Sequence, residues 1–186
     1  MQKIISLFQR NYSGDRLVRN EVTPGAEWVI NGEGLATRKW DGTCCMIKGG
    51  EFYKRYYAKR GKTPPPGFLP AQEPDEVTGH WPGWLRVDDT SKEDKWFREG
   101  FVNTDENLLA LEGTYELVGP KINGNHENLD KHLLIPHGID VIESVPRTFD
   151  LLRSWLAAHD IEGIVWRHPD GRMVKIKKKD FGLNRK

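Results

Sequence analysis

An α+β domain, with antiparallel sheets flanked by helices, is the fold class that this 186-residue sequence predicts. Three observations carry that expectation. Many short β-branched or aromatic segments are bounded by Gly, Pro, Asn or Asp, only two segments have helical spacing, and the two types do not alternate as βαβ units. No low-complexity linker or internal repeat divides the chain, so one domain over residues 1–186 is expected.

The predicted strands are KIISLFQ (3–9), EWVI (27–30), LATRKW (35–40), TCCMIK (43–48) and EFYKRYYAK (51–59), followed by TYELVG (114–119), HLLIPHG (132–138), GIVWRH (163–168) and RMVKIKK (172–178). Gly49-Gly50 and Pro169-Asp170-Gly171 read as turns of antiparallel hairpins, because glycine supplies the positive φ that tight turns need. Residues 91–103 read as a helix after Thr90, with Glu93 three positions on as a capping box and Trp96, Phe97 and Phe101 on one face. Residues 149–159 read as a second helix after Thr148, with Leu152, Trp155 and Leu156 at helical spacing. Both stripes are core stripes. The proline-rich stretch 63–84 is expected to be an ordered loop, since Phe68, Trp81 and Trp84 are costly to leave in water.

Lys and Arg total 28 against 27 Asp and Glu, a net charge of +1, so overall charge does not announce a nucleic-acid partner. Distribution says more. Lys54, Arg55, Lys59, Arg60 and Lys62 form one basic cluster, and Lys175, Lys177, Lys178, Lys179, Arg185 and Lys186 form another; together they could converge on phosphates. No apolar run approaches the ~20 residues of a membrane span, and the start MQKIISLFQR lacks a signal peptide's apolar core; a cytoplasmic location with no membrane partner is expected. Cys44 and Cys45 are adjacent, a poor disulfide, and no second pair exists to build a zinc site, so buried or half-buried thiols are expected. The six histidines show no compact ligand spacing. The stretch YYAKRGKT ends like a phosphate-binding loop, but Tyr56 stands where that loop needs Gly, and no Gly-x-Ser-x-Gly elbow occurs.

What remains is Lys39-Trp40-Asp41-Gly42, Arg55, the segment YELVGPKING at 115–124, EGIVW at 162–166, and VKIKKKDFG at 174–182. Taken singly these read as a turn with an ion pair, a strand entered through a turn, and an edge strand protected by lysines. Taken together and in this order they resemble the covalent nucleotidyltransferase superfamily of ATP-dependent DNA and RNA ligases and mRNA-capping enzymes. Its Lys-x-Asp-Gly motif is matched by Lys39, Asp41 and Gly42, its Glu-Gly-hydrophobic-Val motif by Glu162 to Val165, and its Lys-x-Lys pair by Lys175 and Lys177. Tyr115 to Pro120 looks like the segment that RNA ligases place under the ribose, and Asp41-Gly42-Thr43-Cys44 resembles small single-domain RNA ligases. No aromatic stands clearly where the family stacks adenine; HLLIPHG occupies that place.

The resemblance implies a nucleotidyltransferase domain of the ATP-grasp-like ligase adenylation type, without a C-terminal OB-fold. It implies an ATP-dependent RNA ligase that joins RNA 5′-phosphate and 3′-hydroxyl ends through a lysyl-AMP intermediate and an adenylylated RNA 5′ end, as in RNA repair. ATP would be co-substrate and Mg²⁺ (or Mn²⁺) the metal. Lys39 would be the nucleophile, with Lys175 and Lys177 also catalytic. Asp41, Gly42, Arg55 and Glu116 would join these lysines and Glu162 in binding nucleotide, with Glu116 toward the ribose and Gly42 admitting close backbone approach. Glu162 would hold the metal. Either Arg55 or Arg60 would be the family's arginine after Lys39, Arg55 fitting better. A reactive Lys39 must be neutral, which desolvation and neighbouring positive charge promote against an ordinary pKa of about 10.4. A stand-alone nucleotidyltransferase acting on another acceptor, and an inactive nucleotide- or RNA-binding domain, are the alternatives.

Overall fold

A computed structural model describes residues 3–76 and 78–185, so Lys186 of the second basic cluster lies outside it. In chain order the first elements are β1 (Ile5–Ser6), β2 (Phe8–Arg10), β3 (Val18–Val22), the short helix α1 (Glu27–Ile30) and β4 (Leu35–Lys39). Then come β5 (Thr43–Lys48), β6 (Glu51–Ala58), β7 (Leu69–Pro70), β8 (Trp81–Arg86), α2 (Lys95–Asn103) and α3 (Glu106–Leu109). The last are β9 (Gly113–Val118), β10 (Leu133–Pro136), α4 (Phe149–Ala158), β11 (Gly163–Arg167) and β12 (Met173–Lys177). The class is α+β, as expected. The chain divides into two compact units, one of residues 1–3 and 41–137 and the other of residues 4–40 and 138–186.

The unit of 41–137 is built on a six-stranded antiparallel sheet in the order β10-β9-β5-β6-β8-β7. Gly49 and Gly50, at φ 59° and 74°, close the β5–β6 hairpin between paired Lys48 and Glu51. Two consecutive left-handed residues match the twist of the flanking strands, which is why glycine stands at both. Strand alternation then sorts the side chains. Cys45, Ile47, Tyr115, Leu117 and Leu134 enter a core covered by Trp96 and Phe97 of α2, while Cys44, Met46, Thr114 and Glu116 belong to the opposite face. Burial of Tyr115, Leu117 and Leu134, each at most 1% exposed, contributes at most ~1.5–3 kcal/mol apiece.

The other unit has a four-stranded sheet, β1-β12-β11-β4, and the ribbon β2–β3. One pairing departs from the antiparallel expectation: β1 runs parallel to β12, with Ile5 opposite Val174. Ala36, Ile164, Trp166, Val174 and Ile176 pack on one face with Leu152 and Leu156 of α4 and with Phe8 and Phe181. The facing residues Lys39, Gly163, Val165, Lys175 and Lys177 therefore fall on the other face. That alternation is what brings basic residues together.

Several local expectations change. EWVI is a helical turn rather than a strand: Trp28 and Val29, adjacent in sequence, are both buried, which strand alternation forbids on a one-sided sheet. KIISLFQ breaks into β1 and β2, which pair with different partners. The end of the expected loop at 63–84 is strand β8, paired along β6 from Trp81–Ala58 to Arg86–Tyr53, and Phe68 packs edge-on against Trp81 and Tyr56. The capping residue before α2 is Ser91, whose hydroxyl accepts from the Glu93 amide, rather than Thr90, and the chain enters through a 3₁₀ turn at Lys92–Asp94. The Thr148 side chain makes no cap to α4. Both hairpins, both main helices and the thiol state of buried Cys45 and half-buried Cys44 are as expected.

Candidate functional site

In the unit of 4–40 and 138–186, β11 lies between β4 and β12, and Gly163 faces Lys39 on one side and Lys177 on the other. Glu162 stands immediately before that position. Its carboxylate pairs with the Lys39 ammonium through Oε2 and with Lys177 Nζ at 3.0 Å through Oε1. Lys39 Nζ also donates to the Trp40 carbonyl at 3.4 Å. A side chain at position 163 would overlap the Ile176 carbonyl and come within 2.8 Å of Lys177 Cα, so only glycine lets the two strands close around Glu162. Behind them Asp180, 1% exposed, accepts from the Lys177 amide at 3.0 Å and from Arg10 at 2.6 Å, which anchors the end of β12.

Burial by itself would raise the Glu162 carboxyl, but the charges and hydrogen bonds of Lys39 and Lys177 outweigh it and hold it below the usual carboxylate range. Burial, then the charges of Lys177 and Lys39, push the Lys175 amine down to about 8, with Asp180 and Glu162 opposing. The two causes expected to act on the nucleophile are thus displayed by the lysine two residues before Lys177. Chemically, this is an anionic hinge between amines: one carboxylate organises two lysines, with a third, easily deprotonated, beside them. Trp40 is fixed on the same unit, its indole N–H donating to Asp140 at 2.6 Å and its ring under the Arg38 guanidinium at 3.9 Å.

The unit of 41–137 holds the other expected residues. The Asp41 amide donates to Glu127 Oε1 at 2.9 Å, and Asn123 Nδ2 donates to Asp41 Oδ1 at 3.0 Å and to the Gly42 carbonyl at 2.9 Å. A Cβ on Gly42 would strike the Leu117 carbonyl and lie 2.7 Å from Glu116 Cγ. Glycine there is needed by β9. Glu116 is 7% exposed, and its Oε2 lies 2.8 Å from His137 Nε2. Tyr53 faces Met46 across β5–β6, so Arg55, two residues on, falls on the Cys44 side of the sheet, its guanidinium 4.8 Å over the Trp84 ring. Arg60 is exposed outside the strand.

Lys39, Glu162, Lys175 and Lys177 therefore gather in one unit, and Asp41, Gly42, Arg55 and Glu116 belong to the other. The basic clusters do not act as blocks. Lys54 turns to buried Asp94, and Lys178 is itself buried, donating to the His159 carbonyl at 3.0 Å. Sequence reasoning singled out the segments that hold Asn123 and Asp180 without giving either residue a role, missed Glu127, and set His137 aside as isolated. The signal for His137 lies in the paired strands, since it follows β10 directly opposite Thr114.

Comparison with known proteins adds the family. A family model described as RNA ligase 1 matches residues 106–186. The proteins named RNA ligase 1 from Pongo abelii, Danio rerio and Rattus norvegicus are 36%, 34% and 28% identical. Those alignments cover 80%, 59% and 80% of this chain and 67%, 43% and 67% of the relatives. The chain belongs to the RNA ligase 1 family. It spans about two thirds of the orangutan and rat proteins and under half of the zebrafish one. Among the described residues no helix is long and apolar enough to cross a membrane.

Proposed function

We propose that this protein is an ATP-dependent RNA ligase with an adenylation domain of the covalent nucleotidyltransferase type. The observation that carries the reading is the Glu162 carboxylate pairing with both Lys39 and Lys177, residues 123 and 15 positions away in the chain, in a protein of the RNA ligase 1 family.

In the first step the unprotonated Lys39 amine attacks the α-phosphorus of ATP. A P–N bond forms, the P–O bond to the β-phosphate breaks, pyrophosphate leaves, and the amine gives up a proton. Lys177 and Lys175 neutralise charge on the phosphates, since phosphoryl transfer depends on positioning and electrostatics. In the second step an oxygen of the RNA 5′-phosphate attacks the AMP phosphorus, breaking the P–N bond and leaving adenylylated RNA. In the third the RNA 3′-hydroxyl attacks the 5′-phosphorus, forming the phosphodiester and expelling AMP. Glu162 would hold Mg²⁺ or Mn²⁺, since a carboxylate is a hard donor suited to such a cation; when bound, the cation would neutralise phosphate charge. Arg55 and Glu116 are the proposed contacts to phosphate and ribose.

The test is incubation with labelled ATP and Mg²⁺ without RNA, followed by peptide mass spectrometry. AMP is expected on Lys39 through an acid-labile, base-stable phosphoramidate. Lys39→Arg, whose guanidinium stays protonated, is expected to form none. An adduct on Lys175, or an active Lys39→Arg protein, would overturn the assignment.

A further inference from the structure

We propose that Cys44, Glu116 and His137 form a binding site for a thiophilic divalent cation of the zinc class. Two come from neighbouring strands of one sheet, and the third from the residue that follows the next strand, β10. Cys44 and Glu116 are a directly opposed pair on β5 and β9, and Glu116 faces Ile135 on β10; His137, two residues beyond, returns to the same face. Their sulfur, oxygen and nitrogen donors all lie within 4.8 Å of one another. Tetrahedral zinc with bonds of about 2.0–2.3 Å needs donors roughly 3.5 Å apart, so inward or outward movements of about 1 Å suffice. Side chains adjust on that scale by small torsions.

The donor chemistry is selective. A thiol, an imidazole and a carboxylate suit a borderline cation, whereas Mg²⁺ and Ca²⁺ prefer oxygen donors. Glu116 is almost fully enclosed and Cys44 half-buried, so the donors sit in the sheet rather than on mobile surface side chains. The imidazole is already oriented: Nδ1 lies 2.9 Å from Thr114 Oγ1, which turns Nε2 toward Glu116. Outer hydrogen bonds of this kind fix the tautomer of ligating histidines. Three protein donors leave a fourth position for water or another ligand. Binding displaces the thiol proton, so affinity falls on acidification. The proposal stands on the sheet's geometry and does not need the ligase chemistry; a cation here would take the carboxylate assigned above to ribose.

The test uses the full chain, stripped of metal and titrated with Co²⁺ as a spectroscopic probe. One equivalent should bind with a thiolate-to-cobalt charge-transfer band in the near ultraviolet, displaced by Zn²⁺. Cys44→Ser should abolish the band, and Thr114→Val should weaken binding about 10- to 100-fold. Lys39→Ala should keep it while losing any nucleotide adduct, which separates this site from the ligase proposal. X-ray absorption of the zinc-loaded wild type, which needs no variant, should show one sulfur among nitrogen and oxygen neighbours. Absence of the charge-transfer band, its survival in Cys44→Ser, or a sulfur-free zinc shell would overturn the proposal.

Discussion

Lys175→Met is expected to make the protein more stable at neutral pH while impairing nucleotide transfer. The folded protein pushes the Lys175 amine from its ordinary 10.5 down to about 8, through burial and the charges of Lys177 and Lys39. At ~1.4 kcal/mol per pH unit that displacement corresponds to about 3 kcal/mol against the charged amine. Water reaching this half-buried group screens part of it, so a gain of about 1–3 kcal/mol is expected from the apolar, similarly sized methionine. The sign in pH follows from proton counting. Below about 8 both folded and unfolded chains hold the proton and the penalty is fully present. Between about 8 and 10.5 the unfolded chain binds more protons, so wild-type stability rises with pH and the penalty disappears. Urea unfolding of both proteins from about pH 7 to about pH 10 measures the gap, and the raised thiol of Cys45 and phenol of Tyr115 cancel because both proteins carry them. A variant no more stable than wild type at neutral pH, or a gap that does not close as pH rises, would refute the reasoning.

Glu162→Ala should lower divalent-dependent nucleotide transfer about a hundredfold or more, while the melting temperature falls by only a few degrees (~2–4 °C per kcal/mol); an equal collapse of both would make Glu162 a packing residue. Gly163→Ala should cost about 3 kcal/mol, because the new methyl meets the Ile176 carbonyl rather than a side chain that can turn aside, and urea unfolding reads it directly. Sealing should favour strands with an RNA 3′ end over all-DNA strands of the same sequence, and should weaken with salt as phosphate contacts release counterions; equal sealing of all-DNA nicks would remove the RNA assignment.

The sequence by itself determined the α+β class, most strands of both sheets, the Gly49-Gly50 turn and the two main helices. Each depends on neighbours within a few residues: a hydrophobic period, or a glycine pair whose positive φ selects one turn. Motif order also carried the family resemblance. Where the local signal was short it misled. EWVI carries three apolar residues in a row, too few to separate a helical turn from a strand. WPGWLR contains a proline and a glycine that read as loop, yet it pairs along β6 because Phe68 fills the space over Gly83. Only the tertiary structure decided that Glu162 faces both Lys39 and Lys177, that the low-pKa amine beside them belongs to Lys175, and that His137 meets Glu116 and Cys44. The reason is register. Which residues oppose one another across three strands depends on turns and pairings far apart in the chain, and a one-residue slip would send every one of these side chains to the other face.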